Sequence, residues 1–164
     1  MPPFNVLFLC NHNSARSILA EAILIKQGGG RFRAFSAGST PRGDVNPDTL
    51  SYLIATGHDV GFARSKSWDE FCASGSPEMD FVITVCDDAA AEVCPIWPGQ
   101  PVSANWGVPD PSKTSGSDAE VHASFDTAYR RLEKRIGMML ALDIEAMDTG
   151  EIEKRMSEIG QMPV

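Results

Sequence analysis

The apolar positions of this chain fall into two alternating rhythms. Asn5-Val6-Leu7-Phe8-Leu9 is an unbroken run of strand length, whereas Ser17 to Gln27 repeats its apolar residues at helical spacing until Gly28-Gly29-Gly30 stops it. The alternation continues with a second strand over 31–38, closed by the loop Ser39-Thr40-Pro41-Arg42-Gly43. A helix starts at Asn46-Pro47-Asp48, carries Leu50, Leu53 and Ile54 on one face, and ends at Gly57. Ser67 to Phe71 predicts a short capped helix, and Gly75-Ser76-Pro77 a turn. Strands three and four follow over 80–85 and 101–104. From about Asp118, Phe125, Tyr129, Leu132, Ile136 and Met139 form one face of a long helix. Glu151 to Met156 predicts a short amphipathic tail helix, with Gly150 as a break before it.

Strands alternating with helices predict a three-layer α/β/α fold around a central four-stranded parallel sheet. Ligands of such sheets bind at the C-terminal ends of the strands. Cys10 follows strand one, Cys86 follows strand three and the Asp110 loop follows strand four. All three are therefore expected at one rim.

Composition narrows the setting without changing it. The 164 residues suit one domain, 1–164, and 43% hydrophobic with 22% charged residues is ordinary for a globular protein. A formal charge of −8 disfavours nucleic acid and anionic membrane as partners. The sequence lacks a membrane-length apolar run, and its first residues lack the basic start of a secretory signal, so a cytoplasmic location is expected. A monomer is the expected assembly state. Four scattered cysteines, Cys10, Cys72, Cys86 and Cys94, do not make a structural disulfide framework, which leaves redox or nucleophilic roles for some of them.

The strongest candidate chemistry lies in Cys10-Asn11-His12-Asn13-Ser14-Ala15-Arg16-Ser17. This loop joins a strand to a helix N-terminus, where backbone N–H groups lack intrahelical partners and the helix dipole is positive. Residues 11–17 are thus expected to cradle a tetrahedral oxyanion, with the planar fork of Arg16 gripping two oxygens. The same field is expected to favour thiolate over thiol at Cys10. Ser17, read also as a cap of the helix, can donate its hydroxyl to the sulfur. Asn13 tolerates the left-handed backbone that a tight cradle needs.

Two further segments carry chemistry. Seven residues separate Cys86 from Cys94; a rigid helix between them would hold the sulfurs roughly 12 Å apart, so a disulfide requires that segment to bend or unwind. The two thiols lack the further ligands of a structural metal site, and His12, His58 and His122 are scattered; no metal is expected. Asp110, stiffened between Pro109 and Pro111, is either an exposed turn aspartate or, near an oxyanion that raises its pKa, a general acid.

Taken together, the Cys10 to Ser17 loop, Phe35-Ser36-Ala37-Gly38, Val85-Cys86-Asp87-Asp88, Cys94-Pro95-Ile96-Trp97-Pro98-Gly99 and Trp106-Gly107-Val108-Pro109-Asp110-Pro111 resemble the arsenate reductases built on the low-molecular-weight tyrosine phosphatase fold. The resemblance implies a sheet of order 2-1-3-4 and a thiol relay. In it Cys10 attacks arsenate held by the loop and Arg16, Asp110 assists loss of an oxygen as water, Cys86 attacks the Cys10 sulfur, and Cys94 resolves the resulting disulfide. Cys72 lies outside the matched motifs and is expected to be a bystander. No bound cofactor is implied; an external thiol reductant is.

Three departures from that family's pattern stand out. Thioredoxin-coupled members carry six residues between the second and third cysteines, so thioredoxin, glutathione with glutaredoxin, and a mycothiol-type thiol all remain open as donors. Members also commonly have a cysteine where this chain has Ala15. In some relatives Asn13, Glu21, Ser36 and an acidic residue near position 65 or 66 bind potassium; here Ser65 and Lys66 stand there, and the Lys66 ammonium is expected to replace the ion. Two rival readings use the same loop. One is a phosphotyrosine phosphatase, which needs Cys10, Arg16 and Asp110 but neither Cys86 nor Cys94, and whose Asp-Pro-Tyr acid loop differs from Asp110-Pro111-Ser112. The other is a non-catalytic oxyanion or redox sensor.

Overall fold

The computed structural model describes residues 2–86 and 97–164. Four parallel strands, β1 (Phe4–Cys10), β2 (Phe32–Gly38), β3 (Phe81–Thr84) and β4 (Val102–Asn105), pair in the order β2-β1-β3-β4. The order is the expected one. Since the chain runs from β1 to β2 on one side and returns to β3 on the other, the connections diverge at the C-terminal end of β1, where a crevice opens. Cys10 is the last residue of that strand.

Alternate residues of β1 face two different cores. Val6, Phe8 and Cys10 join the larger cluster with α1 (Arg16–Gln27), α2 (Pro47–Ala55) and α3 (Asp118–Leu140), whereas Leu7 and Leu9 pack with Ala37, Phe71, Met79, Val82 and Trp97 on the opposite face. The expected stripe of α3 is the buried one: Phe125, Leu132, Ile136 and Met139 are fully inaccessible, each contributing about 1.5–3 kcal/mol by burial. α3 begins with a capping box in which Ser117 and Glu120 satisfy each other's backbone N–H groups. Asn46 caps α2 by accepting from Asp48 N, with Pro47 at the first helical position.

Two helix starts differ from expectation. Ala15, not a serine, occupies the N-cap of α1, and no side chain caps it. Ser17 lies inside the first turn because the residues before it are committed to the loop, and its hydroxyl is directed elsewhere. Gly150 does not break the tail helix. That helix, α4 (Thr149–Gln161), is longer than expected because Asp148 caps it, accepting from Glu151 N, and so carries Gly150 into its first turn. The Ser67 to Phe71 segment is a 3-10 turn capped by Ser67. Among the described residues no helix is long and apolar enough to cross a membrane.

Candidate active site

The loop between Cys10 and Arg16 is shaped by bonds to its carbonyls. Asn11 O accepts from Thr40 N at 2.9 Å, His12 O from Arg42 N at 3.0 Å and Ser65 Oγ at 3.1 Å, and Ser14 O from Asn46 N at 3.1 Å and Thr49 Oγ1 at 2.9 Å. His12 Nδ1–H donates back to Thr40 O. Among the described residues, the N–H groups of His12 to Ala15 donate to no protein acceptor. Carbonyls tied outward while N–H groups stay unspent is the arrangement that receives an anion. Asn13 adopts the left-handed backbone, φ 47°, as expected.

One part of this construction was not legible in the sequence. Gly38, at the end of β2, passes so close that a Cβ there would lie 2.5 Å from Asn11 O and 3.0 Å from Asn13 N. Only glycine lets β2 support the loop at this distance. Thr49, fully buried, is a second such support, and its burial is visible only in three dimensions.

Cys10 is buried, with Sγ 2.9 Å from Ser17 Oγ. Asn13 Nδ2 donates to that same Ser17 oxygen at 2.8 Å and to Ser36 Oγ at 3.0 Å, which leaves the Ser17 hydroxyl proton directed at the sulfur. Behind these groups lies a buried charged cluster. Lys66 N donates to Asn13 Oδ1 at 2.9 Å, and Lys66 Nζ donates to Arg64 O at 2.9 Å, Ser36 Oγ at 3.2 Å and Asn13 Oδ1 at 3.5 Å. Ser36 Oγ donates to Glu21 Oε1 at 2.5 Å, and Lys66 Nζ lies 4.0 Å from that oxygen. Burial pushes the Glu21 carboxyl up against the pull of Lys66 and Ser36, and pushes the Lys66 ammonium down against the pull of Glu21.

Arg16, from the first turn of α1, donates through Nη1 to Val108 O at 3.0 Å and pairs through Nη2 with Asp110 Oδ2 at 3.5 Å. Asp110 caps the turn that follows it by accepting from Ser112 N and Ser112 Oγ. Burial alone would raise its carboxyl, but the two Ser112 bonds and the Arg16 guanidinium outweigh burial and hold it below the ordinary value. The upward shift expected of Asp110 is one that a bound oxyanion would bring, acting on a carboxyl that Ser112 and Arg16 otherwise hold low.

Cys86 is buried, and its Sγ–H donates to Asn11 Oδ1 at 3.7 Å. The backbone fixes it there: Val85 N donates to Leu9 O at 2.8 Å, and Val85 O accepts from Val108 N at 3.1 Å. The structure therefore brings Cys10, Arg16, Ser17, Cys86 and Asp110 to one rim. Cys94 lies outside the described residues. Cys72 is on the other face of the sheet, packed with Phe35 and Trp68 around the smaller core, and burial raises its thiol.

A cysteine and an arginine closing an amide-lined loop, with an aspartate on a second loop over it, define the low molecular weight phosphotyrosine protein phosphatase family. The chain belongs to that family, whose model matches residues 5–149. It is 34% identical over 131 residues to the arsenate reductase of Halalkalibacterium halodurans, a match covering 80% of this chain and 91% of that protein. With the arsenate reductase of Bacillus subtilis the identity is 31% over the same shares. Of solved structures, an arsenate reductase in its oxidized state is similar with a TM-score of 0.68 and 25% identity, covering 86% of this chain and 98% of that one. A thioredoxin-dependent arsenate reductase of Corynebacterium glutamicum has a TM-score of 0.56 and 28% identity over 84% of this chain; the match spans 64% of its length.

Proposed function

We propose that this chain is an arsenate reductase that works by a thiol relay. The observation that carries the reading is the position of Cys86, a buried thiol whose sulfur touches Asn11 in the anion loop, one residue from Cys10. A phosphatase has no use for a second thiol there. The oxyanion is drawn in by residues 11–17 and Arg16, since a chain of net charge −8 attracts it only locally.

In the first step the Cys10 thiolate attacks arsenic, a sulfur–arsenic bond forms, and one arsenate oxygen leaves as water with Asp110 assisting its protonation. In the second, the Cys86 thiolate attacks Cys10 Sγ. A disulfide forms, the sulfur–arsenic bond breaks, and its electron pair stays on arsenic, which departs as arsenite. Two thiols are oxidised and arsenic(V) becomes arsenic(III). Cys94 then attacks Cys86, freeing Cys10, and an external thiol reduces the Cys86–Cys94 disulfide. The similarity to a thioredoxin-dependent reductase favours thioredoxin as donor; glutathione with glutaredoxin is the alternative.

The oxygens of Asn13, Ser36 and Glu21 do not fit a potassium ion here, because the Lys66 ammonium stands among them. Lys66 supplies the cluster's positive charge in the ion's place.

Arsenate-dependent NADPH oxidation, measured with thioredoxin and glutaredoxin systems in parallel, tests the proposal. Turnover should occur in the wild type with at least one system and vanish in Cys10→Ser and Cys86→Ser. Full activity in Cys86→Ser would leave the phosphatase reading, which Cys10, Arg16 and Asp110 also support and which p-nitrophenyl phosphate hydrolysis would measure.

A further inference from the structure

The family match ends at residue 149, where α4 begins, yet α4 is built against the loop that carries Asp110. Three contacts in consecutive residues make the connection. Asn105 O lies where a Cβ on Gly160 would come within 2.1 Å of it, so α4 approaches β4 as closely as only a residue without a side chain permits. Trp106, fully buried, donates its indole N–H to Met156 O at 2.9 Å. Gly107 O accepts from Arg135 Nη1 at 2.9 Å, and Arg135 Nη2 donates to Met162 O at 3.4 Å, so one buried guanidinium ties the acid loop to the end of the tail helix. The next residue, Val108, is already part of the active site: its carbonyl accepts from Arg16, and its N–H donates to Val85 O, beside Cys86.

We infer that α4 positions the acid loop, with Gly160, Trp106 and Arg135 as positioning residues that set the distance from Asp110 to an oxyanion on Cys10. The inference rests on the acid role of Asp110 proposed above. The contacts of all three fall on residues 105–107, so their influence runs through the Asn105 to Asp110 backbone. That backbone is met by α4 at 105 and 106, held at 107 by Arg135 of α3, which also bonds Met162 at the end of α4, and held at 108 from the Cys10 side. A displacement of about 1 Å at such a carboxyl costs up to roughly a hundredfold in rate.

The test is a double-mutant comparison of Gly160→Ala in the wild type and in Asp110→Asn, read by arsenate kcat and KM and by competitive inhibition with inorganic phosphate. Gly160→Ala is expected to lower kcat roughly tenfold or more, with KM and the phosphate inhibition constant unchanged, and to have no further effect once Asp110 is asparagine. A change confined to melting temperature, an unchanged kcat, or the same fold-loss in both backgrounds overturns the inference. Should Gly160→Ala fail to fold, Trp106→Phe, which removes the indole N–H donor together with part of the buried ring, carries the same comparison with the same criteria. If Asp110→Asn itself leaves kcat intact, the acid role falls and the inference with it. A lowered kcat in Asp110→Asn that Gly160→Ala lowers further by the same factor as in the wild type rejects the inference alone.

Discussion

Arg16 Nη2 stands 3.5 Å from Asp110 Oδ2, so the guanidinium assigned to the substrate oxyanion is also the partner of the carboxylate assigned to the leaving oxygen. An arsenate entering the loop competes for that guanidinium and brings negative charge toward Asp110. Both changes raise the carboxyl from its lowered value and favour its protonated form. Binding and acid function are thereby coupled through one ion pair.

Asp110→Asn follows directly from this coupling. It should lower arsenate kcat by about 10²–10⁴, the usual contribution of a general acid, while phosphate binds at least as well, because Arg16 loses its competitor. Stability should change with a definite sign. A carboxyl whose folded pKa lies below its ordinary value of 3.8 stabilises the fold above that value and loses the contribution as pH falls through the lowered one. The wild type should therefore melt above Asp110→Asn at neutral pH, with the difference closing in acid. Equal melting temperatures at pH 7 would contradict the pairing.

Cys86→Ser separates binding from electron transfer. The thiol donates to the Asn11 side chain, and the N–H groups at His12 to Ala15 are backbone groups that a change of this side chain leaves in place. Serine keeps a donor toward Asn11 and should therefore leave the phosphate inhibition constant within about twofold of wild type, and abolish steady-state arsenite release. Arsenite in stoichiometric excess over enzyme from this variant would end the relay.

Much of this site was legible in the sequence, and the reasons are local. The Cys10 to Ser17 loop follows an apolar strand and opens a helix, and the left-handed turn was assignable to Asn13 because few other residues adopt it. The convergence of Cys86 and Asp110 followed from parallel-sheet topology alone. Ser17 was misread as a cap because Ser at a helix start suits that role as well as it suits a hydroxyl facing Cys10 Sγ. Gly38, Thr49 and Gly160 carry no local signal, since what they accommodate arrives from segments distant in sequence. The direction of the Asp110 shift depended on Ser112 as much as on Arg16, and a sequence does not reveal which hydroxyls reach which carboxylates.

Gly38→Ala tests the scaffold of the loop. The added methyl would meet Asn11 O at 2.5 Å and Cys10 O at 3.0 Å, both backbone atoms that cannot swing aside. The loop must shift, so the phosphate inhibition constant should rise about tenfold or more, corresponding to at least ~1.4 kcal/mol, and arsenate KM with it. The contacts of Asp110 are untouched by this change. Unchanged phosphate binding in a folded Gly38→Ala protein would show that β2 does not hold the loop in shape.

Lys66 decides how this chain maintains a charged cluster beneath its nucleophile. Its ammonium reaches Ser36 Oγ, Arg64 O and Asn13 Oδ1, and Asn13 in turn holds Ser17 against the Cys10 sulfur. Lys66→Met leaves the Glu21 carboxylate buried without its cation, a change that costs about 3–5 kcal/mol, and should lower the melting temperature and kcat together. Lys66→Ala instead opens space among the oxygens of Asn13, Ser36 and Glu21. Potassium chloride, and not an equal concentration of sodium chloride, should then recover part of the lost melting temperature, while the wild type responds alike to both salts. A potassium-specific gain in the wild type equal to that in Lys66→Ala would mean that the ammonium does not stand in the ion's place.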